Sequence, residues 1–577
     1  MALACARAPL HTAPNQGTAS WTPRAGKGKP VRTRAHIGFC KSAIIAALAV
    51  AAVLTIVSTA AYAQSPSPPP AVEKKWAPSI DFEGKLGTQR NLGEADILLP
   101  LWQDPRSMLF ANVRARLDDN DGREGNYGLG FRHMTDWGWN LGAYSYFDRR
   151  RSENLNYYNQ VTVGVEALSL DWDARFNAYV PEGRRTHQVD SFNTAEVSGT
   201  TVLFHDGEEK SLRGFDAEAG WRAPLFTPEA LQQLRLYAGG YTFYADGINN
   251  RVQGPRGRIE FTSEETPYLW EGSRLTLGTE VQNDGPRGTQ AFFLARLRIP
   301  LQFWDTPKTA QLTPMERRMT DRIVRDVDIV SQAGNFGAVE TATQTSGGKT
   351  FSVVNSSSTT GANLPTAVTN AGANSTVILS GSFNTTAQTV MQGGQTLMAG
   401  PIGVRSASGR TATLVTSATI SGSNVAGSVL QPTDNTTVQG LTVTATGSGA
   451  AAVIGIQPNN TSSNISLINN TVIATQTGTN AAFGIALSQN TGITISGNIV
   501  TATGAAGQIA RALTMAAGST ATITGNTLSA SGGATNNFAS VAAGNTVNAG
   551  STGNVATAGT CSNSGTGTIS FTNGTTC

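Results

Sequence analysis

Past residue 335 the sequence contains no tyrosine, tryptophan or histidine, and only one aspartate and one glutamate, Asp434 and Glu340. Chemistry that needs paired carboxylates or a bound cation therefore has nowhere to sit in that half, and its arginines Arg405, Arg410 and Arg511 have few partners to tune them. Cysteine is equally scarce. Cys5 and Cys40 lie in the N-terminal leader, which leaves Cys561 and Cys577. Two cysteines exclude a disulfide framework; in an oxidising compartment this pair can close one terminal loop, for a stabilisation of roughly 3 kcal/mol, the alternative being two free thiols, which an exported protein seldom keeps exposed. His133, His187 and His205 have no ligand-like spacing, and no glycine-rich phosphate loop or nucleophile elbow opens a helix. No catalytic, metal or cofactor site is expected.

What is present begins with an address. Residues 1–41 hold seven Lys or Arg and no acid, an apolar run "SAIIAALAVAAVLTIVS" follows, and Ala61, Tyr62, Ala63 precede Gln64. That order predicts a secretory signal over 1–63, cleaved between Ala63 and Gln64, with a Pro-rich periplasmic tether over 64–75. The apolar run is short and Ala-rich, and "SPSPPP" follows at once, which disfavours a membrane anchor. Removing the seven cations takes the formal charge from +3 to −4. A mildly acidic exported protein is a poor nucleic-acid binder, so no nucleic-acid partner is expected.

Between the tether and residue 302 the dominant signal has period two. Alternating segments read near 80–86, 95–102, 108–117, 127–133, 139–147, 157–168, 173–180, 214–221, 234–244, 258–262, 274–282 and 291–299, twelve in all. In the last, Phe293, Ala295, Leu297 and Ile299 form an apolar row, with Arg296 and Arg298 opposite. Alternation does not say which row is inside. A soluble sandwich turns the apolar row inward, and a membrane barrel turns it to lipid. Export, segments of about ten residues and aromatics near the segment ends favour the barrel. An arginine at mid-depth on the lipid side costs about 2–4 kcal/mol, so the barrel reading places Arg114, Arg116, Arg274, Glu280, Arg296 and Arg298 in the lumen.

The stretch from Asn126 to Gly183 resembles the barrel domain of the intimin and invasin family, the inverse autotransporters. The resemblance is carried by Gly128, Gly130, Arg132 and His133, then Trp137 and Trp139, Tyr146 and Asp148, Gly164 and Glu166, and Asn177, Tyr179 and Pro181. It covers about residues 76–300 and implies a twelve-stranded outer-membrane barrel in a Gram-negative envelope that exports a C-terminal passenger. It further implies lipid, barrel-assembly and periplasmic chaperone machinery, and a host or neighbouring-cell receptor as partners. Two departures stand out. Residues 64–75 are a short tether where the family often carries a peptidoglycan-binding module, and no immunoglobulin-like or lectin passenger is visible.

After the barrel, Thr313, Pro314 and Glu316 form a capping box that predicts a charged helix within a linker over 303–335. Met315, Met319 and Ile323 are spaced by four among charged residues. The charge pattern fits a solvated linker helix, and the resemblance implies instead a segment threaded back through the barrel as a plug. Residues 336–577 repeat. Val438, Leu467, Ile495 and Ile523 fall in one column at intervals of 29, 28 and 28, and Asn470, Asn498, Asn526 and Asn554 follow at 28. A fixed period with one strand-like segment and one Asn/Gly turn per copy predicts stacked coils bonded by an asparagine ladder. This resembles a right-handed parallel β-helix of the pectin-lyase kind, with about eight coils and a length on the order of 40 Å. The expected fold class is thus all-β: a transmembrane antiparallel β-barrel followed by a right-handed parallel β-helix. The expected function is an inverse autotransporter whose passenger serves adhesion. The competing readings are a non-adhesive coat, a pore, or a glycan-acting β-helix enzyme.

Overall fold

The computed structural model describes residues 74–266, 269, 271–301, 312–326 and 328–577. The signal segment, the Ala63–Gln64 cleavage position, most of the tether, Tyr268 and Trp270 lie outside the described residues.

Twelve antiparallel strands close into a barrel: β1 (Ser79–Gly87), β2 (Leu92–Gln103), β3 (Ser107–Asp118), β4 (Arg123–Met134), β5 (Asn140–Arg151), β6 (Tyr157–Leu168), β7 (Trp172–Glu182), β8 (Arg213–Arg222), β9 (Gln232–Tyr244), β10 (Val252–Glu264), β11 (Arg274–Asp284) and β12 (Gly288–Pro300). Each pairs with its neighbour in the chain, and β1 closes on β12 from Ser79↔Pro300 to Gly87↔Phe292. Closure leaves no unpaired edge, the condition for spanning hydrocarbon with strands. The pleat then sorts the side chains. Phe293 is 48% exposed on the outside, while Arg296 and Arg298 are 9% and 6% exposed inside. Exposed aromatics mark both ends, Trp102, Trp172 and Trp221 at one and Tyr127, Phe147 and Tyr157 at the other, as at the interfaces of a membrane barrel.

The connection from β7 to β8 is the long one. It holds four short strands, Thr186–Gln188, Thr194–Ser198, Thr201–His205 and Glu208–Ser211, where the sequence reading places none. They are too short for periodicity to reveal.

Helix α1 (Pro314–Arg318) begins with the expected capping box. Glu316 N–H donates to Thr313 Oγ1 (3.3 Å), and Thr313 N–H donates to Glu316 Oε2 (2.8 Å). It spans only five residues, so the Met315, Met319, Ile323 stripe is not a helical face. Met319 and Ile323 are buried with Trp76, Phe110, Tyr144 and Tyr146 of the barrel.

The C-terminal half is a column of parallel strands on three faces. The first face holds eight, from Phe351–Asn355 to Thr546–Val547; the second and third hold seven each, ending at Val555–Ala558 and Thr560–Asn563. The strand Thr376–Thr385 serves the first two faces and turns the corner at Gly381, φ +93°, where a Cβ would lie 2.0 Å from Ser356 Oγ. Val438, Leu467, Ile495 and Ile523 pair in register within a continuous apolar core. Helix α2 (Leu364–Asn370) covers one end with buried Leu364 and Val368. At the other end, Cys561 and Cys577 form a disulfide, and Cys577 exchanges both backbone hydrogen bonds with Ile569.

The asparagines at 28-residue spacing lie inside. Asn470, Asn498 and Asn526 each donate from Nδ2 to Oδ1 of the next asparagine at 3.0 Å, the last reaching Asn554. Each ladder asparagine follows a left-handed residue: Asn469 (φ 53°), Gly497 (67°), Gly525 (64°) and Gly553 (72°). Only glycine and asparagine hold that conformation at low cost, which is why the repeat reads Asn-Asn or Gly-Asn at this corner.

Candidate functional site

The lumen is the chemically distinctive region, and it is occupied. From Leu312 to Val330 the linker runs from the mouth beside Trp76 to the far mouth at the β7–β8 loop. At the entry mouth Trp76 Nε1 donates to Glu316 O (2.9 Å), and Lys75 pairs with Glu316. Midway, Arg322 pairs with Glu83 (2.5 Å) and with Glu94. Further on, Arg325 pairs with Asp148 (3.0 Å), and Asp328 with Arg116 (3.1 Å) and Arg90. At the exit, Leu212 N–H donates to Val330 O (2.8 Å).

The wall also explains why the helix stops. A helix satisfies its own carbonyls; here guanidinium and amide groups of the wall take them instead. Arg298 Nη1 donates to Thr320 O (2.9 Å), Arg132 Nη1 to Met319 O (2.7 Å) and Asp321 O (2.6 Å), Arg114 Nη2 to Ile323 O (3.0 Å), and Asn177 Nδ2 to Val324 O (3.2 Å). Charge-assisted bonds of this kind are among the stronger ones, and they hold the linker extended.

Each residue assigned to the lumen from sequence is placed on its wall. Arg114 Nη2 meets Asp96 (2.9 Å), Arg116 meets Glu94 (2.5 Å), Arg274 meets Glu264 (2.6 Å) and Asp321 (2.8 Å), and Glu280 meets Lys85 (2.9 Å). Arg296 bridges Glu83 and Glu260 at 3.3 Å each, and Arg298 holds Asp81 at 2.8 Å. The asparagine ladder and Cys561–Cys577 lie in the β-helix, apart from this site. Among the described residues no group of three or more His, Cys, Asp or Glu is arranged to hold a metal ion.

Several further lumen residues, among them Arg132, Glu166, Asn177 and Tyr179 of the family-like stretch, are not singled out as lumen residues by the sequence. Arg132 and Glu166, both 0% exposed at the side chain, pair at 2.6 Å across β4 and β6. Tyr144 donates to Asn177 Oδ1 (2.7 Å), and Tyr179 to Asp216 (2.5 Å). The motif glycines make room for rings. A Cβ on Gly128 would meet the Tyr146 ring at 2.3 Å, one on Gly130 the Phe110 ring at 2.3 Å, and one on Gly164 the Tyr144 ring at 2.2 Å. The signal was in the alternation, since each of these residues occupies an inward row. The partner of each could not be read from it.

The arrangement suits a conduit holding its own polypeptide. Arg325 stacks over Tyr146 (4.5 Å) and Arg258 over Tyr237 (4.0 Å), so flat rings and guanidinium planes line a path for a chain.

Residues 75–249 match the family model described as "Inverse autotransporter, beta-domain". Solved structures with similarity include the β domain of the Bordetella autotransporter BrkA, 12% identical, covering 39% of this chain and 99% of that one with a TM-score of 0.22. The translocator domain of the autotransporter NalP from Neisseria meningitidis is 8% identical, covering 45% and 98% with a TM-score of 0.20. A chain from work on in-meso crystallization of membrane proteins is 16% identical, covering 45% and 100% with a TM-score of 0.33. No curated protein matches.

Proposed function

We propose that this chain, whose barrel matches the inverse autotransporter β-domain, is an outer-membrane protein that exports its own C-terminal β-helix and anchors it on the cell surface for adhesion. The observation that carries the reading is the linker. It begins at the barrel mouth shared with the N-terminal Trp76, traverses the lumen and leaves at the opposite mouth into the β-helix. A chain in that position is a translocated polypeptide at the end of its passage.

The family's outer-membrane setting, the apolar outer face and the exposed aromatics at both ends support lipid as the barrel's surroundings. Assembly would draw on the barrel-insertion and periplasmic chaperone machinery of that envelope. Export would start with the linker entering as a hairpin. Coils stacking outside would then bias the motion of the remaining chain outward without ATP, since each added coil buries apolar residues such as Val472 and Ile495 that the moving chain exposes. The β-helix would act by surface contact, with a host or neighbouring-cell receptor as partner, and not by catalysis.

Protease shaving of intact cells is the test. Cleavage should remove residues beyond 340 and leave the barrel; protection of residues 340–577 on intact cells, under conditions that digest them once the outer membrane is opened, sinks the proposal. Cells displaying the whole chain should bind target cells more than cells whose chain stops after residue 335, and equal binding would favour a non-adhesive coat. A pore is the less favoured reading because the linker fills the lumen: single-channel conductance should rise sharply when residues 313–330 are deleted.

A further inference from the structure

The 30 residues between β7 and β8 reach beyond the barrel and pair with the chain that leaves it. The emerging linker lies antiparallel to this loop over most of its length. The strand Ser331–Gly334 pairs with Glu208–Ser211 from Ser331↔Ser211 to Gly334↔Glu208. Gly337 N–H then donates to Asp206 O (2.9 Å), and Asp206 N–H donates to Ala338 O (3.1 Å). The strand Val339–Ala342 continues on Thr201–His205, from Val339↔His205 to Ala342↔Val202. Both receiving strands are backed by the loop's own strands, Thr186–Gln188 and Thr194–Ser198. The loop thus presents edges of ready-made hairpins, and the linker adds to them as a strand.

The same sheet runs on into the β-helix. Ala195 bridges in parallel to Leu414 of a hairpin formed by Gly400–Arg405 and Thr411–Thr416. Arg410, near the tip of that hairpin, pairs with Asp206 (2.9 Å) and Asp190 (3.2 Å), and its Nη2 donates to Asn193 Oδ1 (2.9 Å). On the inner side of the sheet, Val202 and Phe204 of the loop join Ile402 and Leu414, packed over Val353 and Ile378 on the outside of the first coils.

A column of outward positions records this cover. In register it reads Val353, Ile378, Met398, Gln439, Ile468, Ser496 and Thr524. The first three are apolar, and three of the next four are polar. The outer face of the first coils is therefore built to be buried, and Val202 and Phe204 of the barrel loop help to bury it.

We infer that the β7–β8 loop of the barrel is a folding template for the first coils of the β-helix, supplying the strand edge and apolar cover that a solenoid lacks before its second and third coils exist. The physical need is nucleation. A coil stabilised by its neighbours has only one at the end of the stack, and chain closure must be offset before non-local contacts form. A template already folded as part of the barrel removes that cost at the point where the chain emerges. The order of events on a cell rests on the export reading above; the templating itself does not.

The test uses the full chain with Val202→Asp/Phe204→Asp in the loop, and separately Ile402→Asp in the passenger hairpin, which breaks the same cover with the barrel sequence untouched. Thr446→Asp, on an exposed position of the second face, is the control. Each protein is unfolded in urea and refolded into detergent micelles, and the appearance of a protease-resistant β-helix is timed. Barrel folding should be unchanged, and both cover variants should acquire the resistant β-helix about tenfold more slowly than wild type or Thr446→Asp, as expected for damage to a folding nucleus. Their unfolding rate in the later coils, around Asn498, should not change. Wild-type refolding rates in both cover variants would overturn the template, as would equal slowing by Thr446→Asp. Pulse-labelled shaving on cells separates the two proposals: a wild-type passenger that never reaches the surface, together with slowed refolding in micelles, overturns export and leaves the template standing.

Discussion

In β12 the inward row is Gln290, Phe292, Leu294, Arg296 and Arg298, with Phe293 among the exposed residues, whereas in the rung Thr471–Gln476 the inward ones are Val472, Ala474 and Gln476 and the outward ones Thr471, Ile473 and Thr475. Both strands alternate, but the first turns two guanidinium groups inward and the second no charged group. The barrel interior is charged, and each charge needs its own partner at its own place, so no two strands carry the same inward set. The β-helix interior is uncharged, an apolar core with one asparagine ladder, and every coil makes the same demand, so one pattern can be stacked repeatedly at a fixed period. A barrel core built from pairs should fail abruptly when one member is lost; a repeating core should fail locally.

The largest contrast is expected at Arg132. Arg132→Ala leaves Glu166 buried with only the more distant Arg175 (3.9 Å) as its cation and frees the Met319 and Asp321 carbonyls, and should cost about 3–5 kcal/mol of barrel stability, read as a lowered urea midpoint in detergent. Replacing the pair together by Arg132→Met/Glu166→Met should recover most of the loss; no recovery would mean that the carbonyl contacts to Met319 and Asp321 dominate. A smaller, local effect is expected in the ladder. Asn498→Ala strands the Asn470 donors and the carbonyl of Leu467 and should cost about 1–3 kcal/mol. Faster hydrogen exchange in the two adjacent coils, with the barrel unaffected, would confirm the local nature; a global loss would break the comparison.

The smallest effect belongs to the junction. Burial raises the Asp206 carboxyl above the ordinary aspartate range, with Arg410 pulling it down and Glu340, Glu208 and Asp190 pushing it up. A raised carboxyl favours the folded form on the acid side, and that contribution is lost as pH rises through the folded-state pKa. At neutral pH, Asp206→Asn should therefore change stability by less than about 1 kcal/mol and flatten the mild stabilisation seen on acidification. Thermal melts across that range check it.

Legibility in the sequence follows the same division. All twelve barrel strands lie where alternation puts them, because strands with lipid on one side and charge on the other carry a strong period-two signal. The columns at Leu467 and Asn498 were visible because stacking repeats the same demand every coil. The strands of the β7–β8 loop were not, since segments such as Glu208–Ser211 gain their structure from partners far along the chain. The linker was legible at its start and not beyond, for the same reason. Thr313, Pro314 and Glu316 start a helix as their chemistry dictates, but Arg132, Arg114 and Arg298, distant in sequence, take the carbonyls that would continue it.

By itself the sequence determined periods: two along each barrel strand, 28 or 29 between coils, and the residues that share a row. Such patterns are local and survive any choice of partner. Which row faces inward, which carboxylate meets which guanidinium, and how the barrel loop and the β-helix come to share one sheet were decided only by the tertiary structure. Alternation is unchanged when the two faces are exchanged, and charge pairing depends on distances that only closure of the barrel sets.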